Sequence, residues 1–101
     1  MTPASEIASM AELRREIDAL DQELVGLLAR RADLIDRAIA LKPAEGMAAR
    51  IEARIDEVID NVRQSAGDVG LDPDLVEALW RQLIEWSIAR EEKVLGKQDA
   101  A

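Results

Sequence analysis

The stretch "LRREIDALDQELVGLLARRADLIDRAIALK", residues 13–42, decides the fold. Leu13, Ile17, Leu20, Leu24, Leu27 and Leu28 recur at three- and four-residue spacing, and Leu34, Ile35, Ile39 and Leu41 continue the pattern. That period marks one face of an α-helix and not the two-residue alternation of a strand. Ser9 and Glu12 make a capping-box signature at the start, and Pro43 stops the run, because a proline drives the residue before it out of the helical region. A helix over 10–42 is roughly 50 Å long at about 1.5 Å per residue, longer than a compact domain of about 100 residues is wide.

Two residues break the seam. Positions 24, 28, 31, 35, 38 and 42 share a face, and Arg31 and Lys42 stand on it among Leu24, Leu28, Ile35 and Ala38. An unpaired charge in an apolar seam is costly. Each cation therefore snorkels to solvent, pairs with an acid such as Asp33 or Glu45, or serves a ligand. Eleven residues of helix separate them, about 20° of rotation and roughly 16 Å of rise. Both side chains could bend toward a small molecule between them.

Further along, "PAEGMA" (43–48) reads as a loop, and a second helix is expected over 49–66 with Ile51, Ile55, Val58, Ile59 and Val62 on one side. Gly67 and Gly70 end it. Asp72 is a strong N-cap for a third helix, with Pro73 in its first turn and Asp74 favourable to the helix dipole; Gly96 closes it. On its line Val76, Trp80, Leu83, Ser87, Glu91, Val94, two polar residues interrupt an apolar run. A buried Ser87 can bond back to the preceding turn. Glu91 either pairs with Lys93 or Arg90 at the surface or faces a ligand. Arg54, beside Ile51, Ile55 and Val58, either pairs with Glu57 or Asp56 or joins the same site. Arg14 precedes Arg31 by 17 residues, about 100° around the helix and roughly 25 Å away. It cannot share a site with Arg31 of its own chain without a sharp bend; it is either a solvated first-turn charge beside Arg15 or a residue that reaches a site on a partner chain.

Composition narrows the chemistry. The 101 residues are 49% apolar, with two Trp and no Phe or Tyr, so the expected fold is all-α with a core of Leu, Ile, Val and Ala. A net charge of −8 argues against nucleic acid. Without Cys or His there is no thiolate, no His-dependent triad and no usual zinc set, and no glycine-rich phosphate loop is present. "MTPASEIASM" lacks the basic start and apolar core of a secretion signal, and no apolar run approaches the roughly 20 residues that span a bilayer. The expectation is a soluble cytoplasmic protein that needs no metal or cofactor. A possible cage of cations and hydrogen-bond donors remains. It suits a small polyanion whose reaction depends on shape and electrostatics.

A long helix flanked by two shorter ones leaves apolar surface bare, and a two-fold dimer is the commonest remedy. The expectation is a three-helix chain with one very long N-terminal helix in an intertwined homodimer; an antiparallel coiled-coil hairpin is the alternative. The domain is expected over 9–96, with a disordered tail at 1–8 and another at 97–101.

These residues also carry a family resemblance. Residues 13–42 resemble the first helix of the all-helical chorismate mutases, with L-R-x-x-I-D-x-L-D, then L-L-x-x-R, then a Lys eleven residues later. "GLDPDLVEALWRQLIEWSIAREE" (70–92) resembles their last helix. The resemblance implies a dimer with two active sites, each receiving one arginine from the other subunit, and a cofactor-free pericyclic conversion of chorismate to prephenate. By position, Arg14 would be the intersubunit arginine, Arg31 and Arg54 would bind carboxylates, and Lys42 would donate to the ether oxygen and a carboxylate. Ser87 would lie near the ring carboxylate, and Glu91 would contact the ether oxygen. An ionised carboxylate only accepts hydrogen bonds, so Glu91 would have to be protonated to help.

Ile51 and Ile55 stand where the best-known mutases often carry acids near the ring hydroxyl. In that respect, and in "IEWSIA", the chain resembles the isochorismate-pyruvate lyases, which make salicylate and pyruvate. A non-enzymatic helical dimerisation module is a third reading, under which loss of Arg31 or Lys42 would be harmless.

Overall fold

The computed structural model describes residues 3–96. The chain is all-helical there: α1 (Met10–Leu41), α2 (Glu52–Asp68) and α3 (Pro73–Leu95), with short 3₁₀ turns at Ala4–Glu6 and Pro43–Glu45. Met1, Thr2 and the expected tail at 97–101 lie outside the described residues; the rest of the expected N-terminal tail includes the first 3₁₀ turn.

The ends of α1 follow the sequence signals. The Glu12 N–H donates to Ser9 Oγ at 3.2 Å, while Glu12 Oε2 accepts from the N–H of Ala8 at 3.2 Å, one residue earlier than in the usual box. At the far end the Lys42 N–H still reaches Ala38 O, and Pro43 then tightens the chain into its 3₁₀ turn.

The chain divides into two units, one up to Leu34 and one from Ile35 onward. The first holds most of α1, a single helix with no buried residue. Ile17, Leu20, Leu24 and Leu28 are each 43–50% exposed in the single chain. The seam read from the sequence is present, and these four residues stand open in the single chain.

The second unit holds the core. Ile59 of α2 packs with Ile84 and Ile88 of α3, and Ile55, Val58 and Trp80 close around them. Val76 and Ala66 are also buried, whereas Leu75, Leu79 and Val94 of α3 stay exposed.

Helix α2 differs from its expected bounds at both ends. It begins at Glu52 because the backbone of Ile51 is extended, and the Ile51 carbonyl accepts the first helical bonds from Arg54 and Ile55. No side chain caps this end, so the sequence carried no capping signal there. The helix also passes through Gly67 to Asp68. The stop is at Gly70, whose φ of +74° lets the Leu71 N–H return to Ala66 O at 2.9 Å. Helix α3 starts as read, with Asp72 accepting from the Asp74 N–H at 2.9 Å.

Exposed ion pairs lace the second unit. Arg63 reaches Asp74 and Glu77, and Arg81 reaches Glu77. The hydrogen bond from Arg81, with Arg63 nearby, holds the Glu77 carboxyl below its ordinary range; Arg90 does the same to Asp36. A carboxylate with a lowered folded-state pKa stabilises the fold above its unfolded pKa, and loses that contribution as pH falls through the lowered value. The melting temperature should therefore fall between about pH 5 and about pH 3, modestly because the pairs are exposed. Glu77→Gln should blunt the fall; an identical pH profile in that variant would count against this origin.

Candidate active site

The site is built where α1 ends. Proline cannot extend the helix, Gly46 takes a left-handed φ of +67°, and the Met47 N–H returns to Lys42 O at 2.9 Å. The chain thereby turns back on Lys42. Lys42 Nζ donates to the carbonyl of Ala49, itself only 5% exposed, at 2.9 Å.

From the other side comes α3. Lys42 Nζ lies 3.0 Å from Glu91 Oε1, with the two side chains 17% and 5% exposed. A buried charge is tolerable only when paired and hydrogen-bonded. Here the two seam-breaking residues, Lys42 just past the end of α1 and Glu91 on α3, form an ion pair. Ser87 is buried one turn before Glu91, and its Oγ donates to Leu83 O at 2.8 Å, the back-bond expected for it. Among the described residues, no buried side-chain nitrogen or oxygen lacks a partner.

The surface partners considered for Glu91 are not the ones found. Arg90 turns instead to Asp36 of α1 in two hydrogen bonds of 2.6 and 3.0 Å, and lies 5.5 Å from the Trp86 ring centroid. That clamp ties the end of α1 to α3 beside the Lys42–Glu91 pair.

Arg54 is exposed on α2 and pairs with Glu57. Arg31, half-buried, and Arg14, exposed, belong to the first unit. Within the second unit the structure brings together Lys42, Glu91 and, one turn away on α3, Ser87.

Sequence reasoning missed Arg50, which donates to Glu85 of α3 at 2.5 Å and lies 3.6 Å from Glu52. The hydrogen bond to Glu85 raises the Arg50 pKa further above its ordinary value. Arg50 sits in a loop with no periodicity, and Glu85 follows it by 35 positions among 21 acids, so spacing could not single out the pair.

Chemically, the arrangement is a fixed ammonium between a carbonyl and a carboxylate in a largely buried position. It can give a charge-assisted hydrogen bond to an anionic or ether oxygen.

Residues 13–92 match the profile of a family described as chorismate mutase type II. The chain is 31% identical over 93 residues to an isochorismate pyruvate lyase of Pseudomonas aeruginosa, covering 92% of this chain and 91% of that protein. It is 30% identical to a 4-amino-4-deoxychorismate mutase of Streptomyces venezuelae, covering 88% and 86% of the two chains. It is also 31% identical to the T-protein of Haemophilus influenzae over 82% of this chain, a match spanning 22% of that longer protein.

Proposed function

Because the chain belongs to the chorismate mutase type II family, we propose that it converts chorismate to prephenate without a cofactor, as a homodimer in the cytoplasm. The observation that carries this reading is the buried Lys42–Glu91 pair, present at the two positions where the family resemblance demands contacts to the breaking C–O bond. Lys42 donates one N–H to Ala49 O and lies within ion-pair distance of Glu91 Oε1; an ammonium carries three donors, so it can also serve an ether or carboxylate oxygen.

The proposed roles extend to Arg31 and Arg54 as carboxylate ligands, to Ser87 near the ring carboxylate, and to Arg14 as the residue supplied by the second subunit. Such a site needs no nucleophile. It holds the enolpyruvyl arm over the ring and stabilises the charge that develops as the C–O bond breaks. Among the described residues, no helix is long and apolar enough to cross a membrane, which agrees with action on a dissolved dianion.

Glutamine in place of Glu91 can accept from Lys42 and also donate to the ether oxygen at any pH. Glu91→Gln is therefore expected to keep or raise turnover of chorismate, since an amide can donate to the ether oxygen and an ionised carboxylate cannot. A loss of turnover in the variant would assign Glu91 another role.

A second reading, isochorismate pyruvate lyase, draws on the near full-length match to the Pseudomonas protein and on Ile51 and Ile55. Both isoleucines are half-buried, and Ile55 packs on the core. Identity does not separate the readings, since the lyase stands at 31% and the deoxychorismate mutase at 30%. Parallel product assays with chorismate and isochorismate do. Prephenate formed faster than salicylate supports the mutase; the reverse order supports the lyase, and no conversion of either excludes both.

A further inference from the structure

We propose that Arg50 and Glu85 are positioning residues for Lys42, an inference that rests on the reading of Lys42 as a substrate-contacting group. The ammonium of Lys42 is held at two points, by Ala49 O at 2.9 Å and by Glu91 Oε1 at 3.0 Å. Helix α3 fixes the second. The first is a backbone carbonyl between the Pro43–Glu45 turn and α2, outside any helix. Such a carbonyl is only as well placed as whatever ties its loop down.

Arg50, the next residue, is that tie. Its Nη2 donates to Glu85 Oε2 at 2.5 Å. Glu85 stands on α3 two residues before Ser87 and six before Glu91. The contacts form a closed circuit: Lys42 to Ala49, along the backbone to Arg50, across to Glu85, down α3 to Glu91, and back to Lys42. One helix therefore locates both groups that aim the ammonium.

The Arg50 and Glu85 side chains are 39% and 60% exposed. A pair that open to water adds little to stability. Its effect on rate can be larger, because small misplacements of a catalytic group are costly.

The test uses the full chain and four variants: Arg50→Ala, Glu85→Ala, the double alanine variant, and the reversed pair Arg50→Glu with Glu85→Arg. Each single change is expected to lower kcat on chorismate about 5- to 20-fold with little change in KM. The double variant should be no worse than either single one, and the reversed pair should recover most of the loss. Acylation of Lys42 by acetic anhydride, read by mass spectrometry against the other lysines, should rise several-fold in the single variants and return toward the native level in the reversed pair. Thermal melts confirm that each variant is folded.

Unchanged kcat and unchanged Lys42 labelling in the single variants would overturn the proposal. So would independent, multiplicative losses. A rise in KM confined to Arg50→Ala would also overturn it, since Arg50 would then touch substrate directly. If the native chain converts neither chorismate nor isochorismate, the functional reading fails, while Lys42 labelling still decides whether Arg50 and Glu85 position it.

Discussion

Lys42→Ala is expected to lower turnover of chorismate by about 10²- to 10³-fold, the usual loss when one charge-stabilising donor is removed. The same change leaves Glu91, 4% exposed, without the cation beside it. Removing one partner of a buried ion pair costs about 3 kcal/mol or more, so the variant should also melt earlier. The two effects are separable. Lys42→Met with Glu91→Leu replaces the pair by apolar groups of similar size, and such replacements are often neutral or stabilising. That double variant should regain the melting temperature and remain inactive. If Lys42→Ala keeps its turnover, or if the double variant regains it, the ammonium is structural only. The dimerisation-module reading predicts neutral or stabilising effects from Lys42→Ala, so a measured loss of turnover that the double variant does not regain would count against it.

The second large effect lies in the first unit. Leu20 and Leu24 are 49% and 50% exposed on α1, four residues apart on one face with Ile17 and Leu28. Contiguous apolar stripes of this kind mark interaction surfaces, and the proposed occupant is the same helix of a second copy. Covering the exposed half of each leucine gains roughly 1 kcal/mol. A two-fold axis counts each residue twice, so two positions contribute about 4 kcal/mol, roughly a thousandfold in dissociation constant. Leu20→Lys with Leu24→Lys adds the cost of burying charge. The variant should sediment as a monomer and lose activity, although neither residue is proposed to touch substrate. A dimer with full activity would place the subunit interface elsewhere.

The helices were legible where capping chemistry is local. Ser9 and Glu12 at the start of α1 and Asp72 at the start of α3 act within a few residues of themselves. Helix α2 was less legible because Ile51 ends the loop without a polar cap, and because Gly67 is tolerated inside the helix while Gly70 makes the turn. In the candidate site, each half of the ion pair was visible as a polar residue in an apolar seam. Their pairing was not, since nothing in the spacing of α1 refers to α3. The seam of α1 was read correctly as apolar, but its burial is a property of whatever covers it. Arg50 escaped notice because its partner is fixed only by the folded path of the loop.

In the proposed enzyme the active sites are shared between two copies, with Arg14 of one serving Arg31, Lys42 and Glu91 of the other. Mixing two inactive variants tests it directly. Arg14→Ala and Arg31→Ala should each be nearly inactive alone. If they exchange subunits freely, half of the mixed dimers pair one of each, and every such dimer holds one native site and one doubly altered site. Activity on chorismate should therefore recover to about a quarter of the native value per site. Recovery near that level is the result expected here. If the mixture, with exchange confirmed by mass spectrometry, remains as inactive as its parts, Arg14 does not act across the interface and the shared site is wrong.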